Sequence, residues 1–342
     1  MVSDQRAVPA RETPAAVSRR LFTNHQPLTT NHYLAVIARR VIDFAAYLAV
    51  RLLICVVQAV PIETGARLAR PLARIVCERL RLRQEVVDTN LRHAFPQLSP
   101  AARHELALRS WEHLFLMVVE IAHAVRKIHE TNWRRYVMLR NVRAMVRAQL
   151  SDRPTICLAG HFGNFEVCGY VTGMLGIPSF TVARPLDNPF LDRFVNRFRA
   201  AQGQQVLEKL GSSQEIERQL AQGANFVVLA DQAAGRKGCW VEFFGRPAST
   251  HKAIALFSLT NDAPMFVTYF LRTGRPMRFE LGCQGQVDPR DDLRETAGVR
   301  ELTQWFTTRI EDSVRRGPEQ YWWVHRRWKD ARVRSKRRRQ AA

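Results

Sequence analysis

From Pro154 onward the chain switches repeatedly between two periods. "TICLA" is followed by "NFEVCGYVTGML", and "SFTVA" by "PFLDRFVNRFRAA"; then come "NFVVLA", "CWVEFF", "KAIALFSLTN", "PMFVTYFL" and "RFELGC". Short runs rich in β-branched and aromatic residues suit buried strands, and the longer stretches repeat their apolar residues at helical spacing. That alternation has few solutions, of which the simplest is a sheet covered by helices, an α/β fold. A last helix is expected from Arg300 to Arg315. With 342 residues, 46% of them hydrophobic, the chain can bury one large α/β domain with appendages, which excludes wholesale disorder. No internal repeat is visible.

The part before Pro154 is organised differently. Residues 1–32 are rich in Pro, Arg, Thr, Asn and Gln and lack apolar periodicity, so they read as a disordered tail. They contain no uninterrupted apolar core of the kind a secretory signal needs. Residues 33–61, "YLAVIARRVIDFAAYLAVRLLICVVQAVP", are apolar but interrupted by Arg39, Arg40, Asp43 and Arg51. A spanning helix needs about 20 mostly apolar residues, and an arginine at mid-bilayer is costly even when it snorkels. Three readings stand: a marginal transmembrane anchor, a helix lying in the membrane interface, or a core helix. All three predict helix. "ETGARLARPLARIVCERL" carries arginines along one side of a helical pattern, and Ser99 followed by Pro100 marks the start of another helix by its N-cap chemistry. The compact domain is expected over 62–328, and residues 329–342 form a basic tail.

The formal net charge is +21, which requires an acidic partner: nucleic acid, an anionic bilayer, or an acidic substrate or carrier. The six cysteines, Cys55, Cys77, Cys157, Cys168, Cys239 and Cys283, are scattered without a C-x-x-C pair. Reduced, buried thiols in a reducing compartment fit that pattern better than a zinc site or a disulfide framework.

The chemistry concentrates at "GHFGNFE", Gly160 to Glu166, directly after the run ending at Ala159. A histidine just past the carboxyl end of a strand lies where open α/β sheets bind ligands. Gly160 and Gly163 permit sharp turns, Asn164 can cap a helix, and Glu166 near that helix's start is favoured in its ionised form. A carboxylate beside an imidazole can hold one tautomer and stabilise the imidazolium, which is what general-base removal of a hydroxyl proton requires. The bare His-x-x-x-x-Glu spacing is common, and a satisfied structural histidine has the same spacing.

The six surrounding residues and five further segments, in order, resemble the lipid A biosynthesis acyltransferases, the lauroyl/myristoyl transferase family within the glycerolipid acyltransferase superfamily. The segments are "NLRHAFP" (Asn90–Pro96), "RPLDNP" (Arg184–Pro189) with "NRFRAAQG", "LADQ" (Leu229–Gln232), "VEFFGRPAST" (Val241–Thr250) and "YWWVHRRWK" (Tyr321–Lys329). The resemblance runs from about Tyr33 onward. It implies a mixed central sheet with helices on both faces behind an N-terminal membrane helix. It also implies transfer of a fatty acyl group from acyl carrier protein, or acyl-CoA, to a hydroxyl of a membrane glycolipid, with no metal or redox cofactor. His161 is then the general base and Glu166 the group that orients it. Asn164 and the backbone around Gly163 are candidates for stabilising the tetrahedral oxyanion. Arg199 and Asp231 carry over as substrate-binding positions, although Arg199 in an ion pair with a nearby carboxylate, such as Asp231, is an equal reading. Arg184 is a candidate for a headgroup phosphate, Thr250 and His251 are weaker candidates, and His325 among Arg326, Arg327 and Lys329 suits carrier or lipid-phosphate contact.

Under this reading the charge has three acidic partners: anionic lipid, a phosphorylated glycolipid acceptor and acyl carrier protein. The expected location is the cytoplasmic face of the inner membrane. The family often has Trp where this chain has Phe165. A basic nucleic-acid-binding protein is the different-class alternative, but the aromatics fall in apolar runs and no reading motif appears. A serine hydrolase would need G-x-S-x-G, which is absent. The leading acceptor is a lipid A precursor; phosphatidylinositol mannoside, an ornithine lipid or another glycolipid fits the same machinery.

Overall fold

The computed structural model describes residues 30–200, 203–208 and 212–329. Among the described residues the chain divides into two units that part between Leu48 and Ala49. The polar lead lies outside the described residues up to position 29, and the basic tail does so from position 330. The first helix, α1 (Thr30–Ala59), starts three residues before the expected Tyr33. Its stretch Val36–Ala59 is long and apolar enough to cross a membrane. Arg51, which interrupts that stretch, stacks its guanidinium 5.1 Å from the centre of the Phe194 ring, a cation–π contact that lowers the cost of a charge among apolar residues.

In the second unit four helices come before the main strands: the end of α1, α2 (Ile62–Arg74), α3 (Gln84–Ala94) and α4 (Pro100–Lys127). The Ser99 hydroxyl caps α4 by accepting from the Ala102 amide at 3.2 Å, as its position before Pro100 predicts. The strands are β1 (Val137–Arg140), β2 (Thr155–Ala159), β3 (Ser179–Ala183), β4 (Gln204–Glu208), β5 (Asn225–Leu229), β8 (Met265–Arg272) and β9 (Phe279–Val287), with a separate hairpin of β6 (Cys239–Phe243) and β7 (Arg246–Thr250). The seven-stranded sheet has the order β1-β9-β8-β2-β5-β3-β4, and β8 and β9 form its antiparallel pair. It is therefore a mixed sheet.

Strand alternation sorts the core into two layers. Ile156 and Leu158 of β2 pack with α3, with α9 (Ala253–Thr260) and with α10 (Val299–Arg315) on one face. Cys157 points to the other face, among α4, α5 (Arg143–Gln149) and α6 (Phe165–Met174). Helices thus cover both faces. α7 (Pro189–Ala200) and α8 (Ser212–Ala221) complete the crossovers between the parallel strands.

Candidate active site

The register of β2 on β5 builds the site. The two strands pair in parallel, Thr155 opposite Asn225 through to Ala159 opposite Leu229. A buried hydrogen bond from the Thr155 hydroxyl to Asn225 Oδ1, 2.7 Å, pins one end, and the Ala230 amide donates to the Ala159 carbonyl at the other. His161 and Asp231 each stand two residues past the last pair, so the ladder delivers them to the same place across 70 residues of chain. His161 Nδ1 lies 2.6 Å from Asp231 Oδ1, and the His161 amide donates to Asp231 Oδ2 at 2.8 Å. An ionised carboxylate only accepts, so Nδ1 carries the proton and Nε2 presents a lone pair.

The surroundings tune this pair. Burial alone disfavours the imidazolium, but the charge and hydrogen bond of Asp231, with a smaller contribution from Glu166, outweigh it and raise the His161 pKa. Burial likewise opposes ionisation of Asp231, yet the His161 ring holds its carboxyl well below the usual range. The imidazole sits edge-on to Phe165 and Trp322, ring centres 5.2 and 5.3 Å away, and those two rings stack on each other. Gln232 Nε2 is 3.3 Å from His161 Nε2.

Glu166 takes a different position from the one expected. It makes no hydrogen bond to His161; it pairs with Arg199, NH2 to Oε1 at 2.5 Å and Nε to Oε2 at 3.2 Å. Asn164 caps α6, accepting from the Val167 amide, and the helix it starts carries Glu166 towards Arg199 of α7. Asp231 therefore orients the ring, and the partner of Arg199 is Glu166, not Asp231. Asn164 is also corrected as an oxyanion donor: its NH2 is buried and donates to Glu120 Oε2 at 3.0 Å. The Gly163 amide donates to the Gln320 carbonyl and the Asn164 amide to the Phe270 carbonyl, so neither is free for an oxyanion. Gly163 is needed instead for its backbone conformation. Its φ is +63°, and a Cβ there would stand 1.8 Å from the Phe270 carbonyl oxygen.

Behind the loop lies a buried polar cluster. Arg272 grips Glu120 with two bonds of 2.6 Å and reaches His113 Nδ1 at 2.9 Å. Burial, then the nearby Arg272 charge, holds the His113 pKa well below the ordinary value, and its ring bonds the Gly163 backbone. The loop carrying His161 is thereby tied to α4 and β8.

Arg184 is exposed at the rim, paired loosely with Asp187. His325 lies 6.0 Å from His161, ring centre to centre, with Nδ1 on the Trp322 carbonyl. Arg327 is no phosphate contact: it is buried and donates to the Ser249 carbonyl and Thr250 hydroxyl. Gln232 and Trp322 were missed as site residues. Both stood inside recognised segments, but neither an amide nor an indole carries a spacing signal of its own.

His161 opens onto a cavity of about 660 Å³ that Phe165, Glu166, Arg184, Arg199 and Trp322 help to rim. Its volume falls in the range of small-molecule sites. Cys157 and Cys168 line it, and burial pushes both thiols up to about 12, so they stay protonated and unreactive. Among the described residues no three His, Cys, Asp or Glu side chains converge on a metal position.

Fold and site together define an α/β enzyme with a bonded His161–Asp231 pair beside a cavity at the strand ends. A sequence model for the bacterial lipid A biosynthesis acyltransferases matches residues 36–330, and the chain belongs to that family of O-acyltransferases. It is 26% identical to the lipid A biosynthesis palmitoleoyltransferase of Escherichia coli (strain K12) over 255 residues, 73% of this chain and 80% of the relative. The lipid A biosynthesis acyltransferase of Shigella flexneri matches to the same extent. Identity to the lipid A biosynthesis lauroyltransferase of Escherichia coli (strain K12) is 24% over 291 residues, 83% of this chain and 90% of the relative.

Proposed function

We propose that the protein transfers a fatty acyl chain from a carrier thioester, on acyl carrier protein or coenzyme A, to a hydroxyl of a phosphorylated lipid A precursor. The observation that supports this reading is the Nε2 edge of His161, backed by Asp231 and lining a largely apolar cavity. His161 removes the proton from the acceptor hydroxyl as its oxygen attacks the thioester carbonyl. The C–O bond forms, the tetrahedral intermediate collapses, and the C–S bond breaks. The imidazolium then returns the proton to the departing thiolate, so a thiol and an ester leave and the enzyme is restored. Gln232, the side-chain amide beside Nε2, is the polar group placed to steady the acceptor or the oxyanion. Arg199, held by Glu166, and the exposed Arg184 supply positive charge at the rim for phosphate on acceptor or carrier.

The reaction belongs at the cytoplasmic face of the inner membrane, among anionic lipids. Besides α1, helix α2 supports membrane attachment. Leu68 and Leu72 of α2, with Ile75 directly after its end, recur at helical spacing and are 52%, 43% and 49% exposed, while Ala69 and Ala73 are buried. An apolar stripe facing solvent beside Arg67 and Arg74 suits the lipid–water boundary.

Product analysis tests this reading. His161→Ala should lower transfer to the lipid A precursor by about 10²–10⁴-fold, the contribution of a positioned base, in a protein that still folds. Full activity in a folded His161→Ala protein overturns the mechanism; absence of transfer by the wild-type protein to any glycolipid hydroxyl overturns the function.

A further inference from the structure

We infer that the groove between the start of β1 and the β8–β9 turn binds the headgroup phosphate of an anionic phospholipid of the bilayer. The inference rests on the membrane attachment proposed above.

The groove measures about 610 Å³, and Arg134, Arg275 and Arg278 line it with Tyr136, Met138 and Phe279. No acidic residue is in its lining. The acids on the adjoining elements have other partners: Glu280 of β9 pairs with Arg140 and Arg316, and Glu120 of α4 with Arg272. Among the described residues none of the three groove guanidiniums is in an ion pair. Three like charges around one recess repel each other, and an anion between them relieves that repulsion. A phosphate suits them, because a guanidinium can bind its oxygens through two parallel N–H groups.

The fold holds these arginines in place. Arg134 stacks over the ring of Trp133, 4.6 Å from its centre, and Trp133 is itself buried. The turn after β8 is closed by the Thr273 amide, which donates to the Arg278 carbonyl at 2.8 Å. Met277 plugs this turn into the core, and its amide donates to Glu120 Oε1 at 3.1 Å. Its φ of +58° lies in the left-handed region, which a residue with a side chain seldom adopts. Strain of this kind persists where its surroundings over-determine it, as at ligand clamps. With Met277 inside, Arg275 is left exposed and Arg278 half-buried.

Position selects a lipid. The core cluster that contains Trp133, Val137, Met277 and Phe279 also packs against Val57 near the end of α1. His123 Nε2 bonds the Val57 carbonyl at 3.1 Å, and the Gln58 amide donates to the Ala122 carbonyl at 2.7 Å. The end of the apolar stretch Val36–Ala59 is therefore fixed at this corner of the sheet. Beside the groove, Met138 and Leu139 on the edge strand β1 are 56% and 43% exposed, an apolar lip next to the cations. A basic recess with an apolar lip, where a helix of membrane-crossing length ends, suits a phosphate whose chains enter the bilayer. The groove shares no lining residue with the cavity of His161. Arg272, Phe279 and Val137 stand in one row across β8, β9 and β1, so the groove is at the β1 edge, away from β2.

Native mass spectrometry of the full chain in detergent, titrated with dioleoylphosphatidylglycerol or dioleoylphosphatidylcholine, tests this. Wild-type protein should hold one phosphatidylglycerol more tightly than phosphatidylcholine. The triple variant Arg134→Gln, Arg275→Gln, Arg278→Gln should weaken that binding about tenfold or more, the scale for three basic residues beside anionic lipid, with phosphatidylcholine unaffected. A control, Arg246→Gln, Arg294→Gln, Arg300→Gln, removes the same charge from exposed positions outside the groove lining and should keep the affinity. Undiminished binding in the groove variant overturns the inference, as does an equal loss in the control. A groove variant that keeps phosphatidylglycerol but shows a raised KM for the lipid A precursor assigns the groove to the acceptor. One that keeps it but loses the acyl carrier protein assigns it to a protein partner. Either result overturns the inference. If the triple variant does not fold, Arg275→Gln alone, at an exposed turn position, decides by the same ratio. A wild-type chain that stays out of the vesicle fraction in flotation refutes membrane attachment and the inference with it, so the two failures are distinguishable.

Discussion

At the scale of single residues, the difference between Asp231 and Glu166 is measurable. On the proposed mechanism His161 must be neutral to work, so activity should fall as pH drops through its raised pKa. Asp231 supplies the largest contribution that raises it and Glu166 a smaller one. Asp231→Asn should move the acid limb of kcat/KM to lower pH and lower the plateau, because the ring loses both its tautomer control and its anionic partner. Glu166→Gln leaves the Asp231 bond in place and should move the limb less. A larger displacement in Glu166→Gln would return the orienting role to Glu166. The sequence made His161 legible because a histidine beyond a strand end, among glycines, is a recognisable pattern. It left the partner ambiguous because two carboxylates were available and the nearer one in the chain is the farther one in bonding.

At the scale of elements, α4 and β8 hold the loop that carries His161. Glu120 is fully enclosed, with Arg272, Asn164 and the Met277 amide as its partners. Removing one member of a buried, hydrogen-bonded ion pair strands the other, so Glu120→Ala should cost about 3–5 kcal/mol, read as a lower midpoint in chemical denaturation. Neither Glu120 nor Arg272 stands out in the sequence, where Glu120 is a lone acid in the apolar run "LFLMVVEIAHAV" and Arg272 a lone base after a strand. Their pairing spans 152 residues. α2 is the opposite case. Its helical spacing and arginines were visible, but which apolar residues it buries depends on where α4 packs. Leu68→Ser with Leu72→Ser should reduce binding of the full chain to anionic vesicles in flotation while leaving its folding intact; undiminished binding would remove α2 from the membrane-facing surface.

At the scale of the whole molecule, net charge governs association more than fold. With a formal charge of +21, binding to vesicles containing anionic lipid should weaken as salt rises from about 0.1 M to about 1 M, since the screening length shrinks from about 10 Å to about 3 Å. Zwitterionic vesicles should show little of this dependence, because only the apolar contacts of α1 and α2 then hold the protein. Salt-independent binding to both would assign membrane attachment to burial of apolar surface alone.

The sequence by itself determined the fold class, the helix over residues 33–61, the strand before His161 and the cap at Asn164. These are local matters, set by period, turn chemistry and capping within a short stretch of chain. It also pointed to a crevice beside His161, since strand ends in such sheets converge there, and His161 lines a cavity at that position. Only the tertiary structure decided which carboxylate serves the imidazole. Register in a parallel sheet places residues by ladder position, not by distance along the chain. Asp231, 70 residues away, is therefore bonded to His161, and Glu166, five residues away, is turned to Arg199.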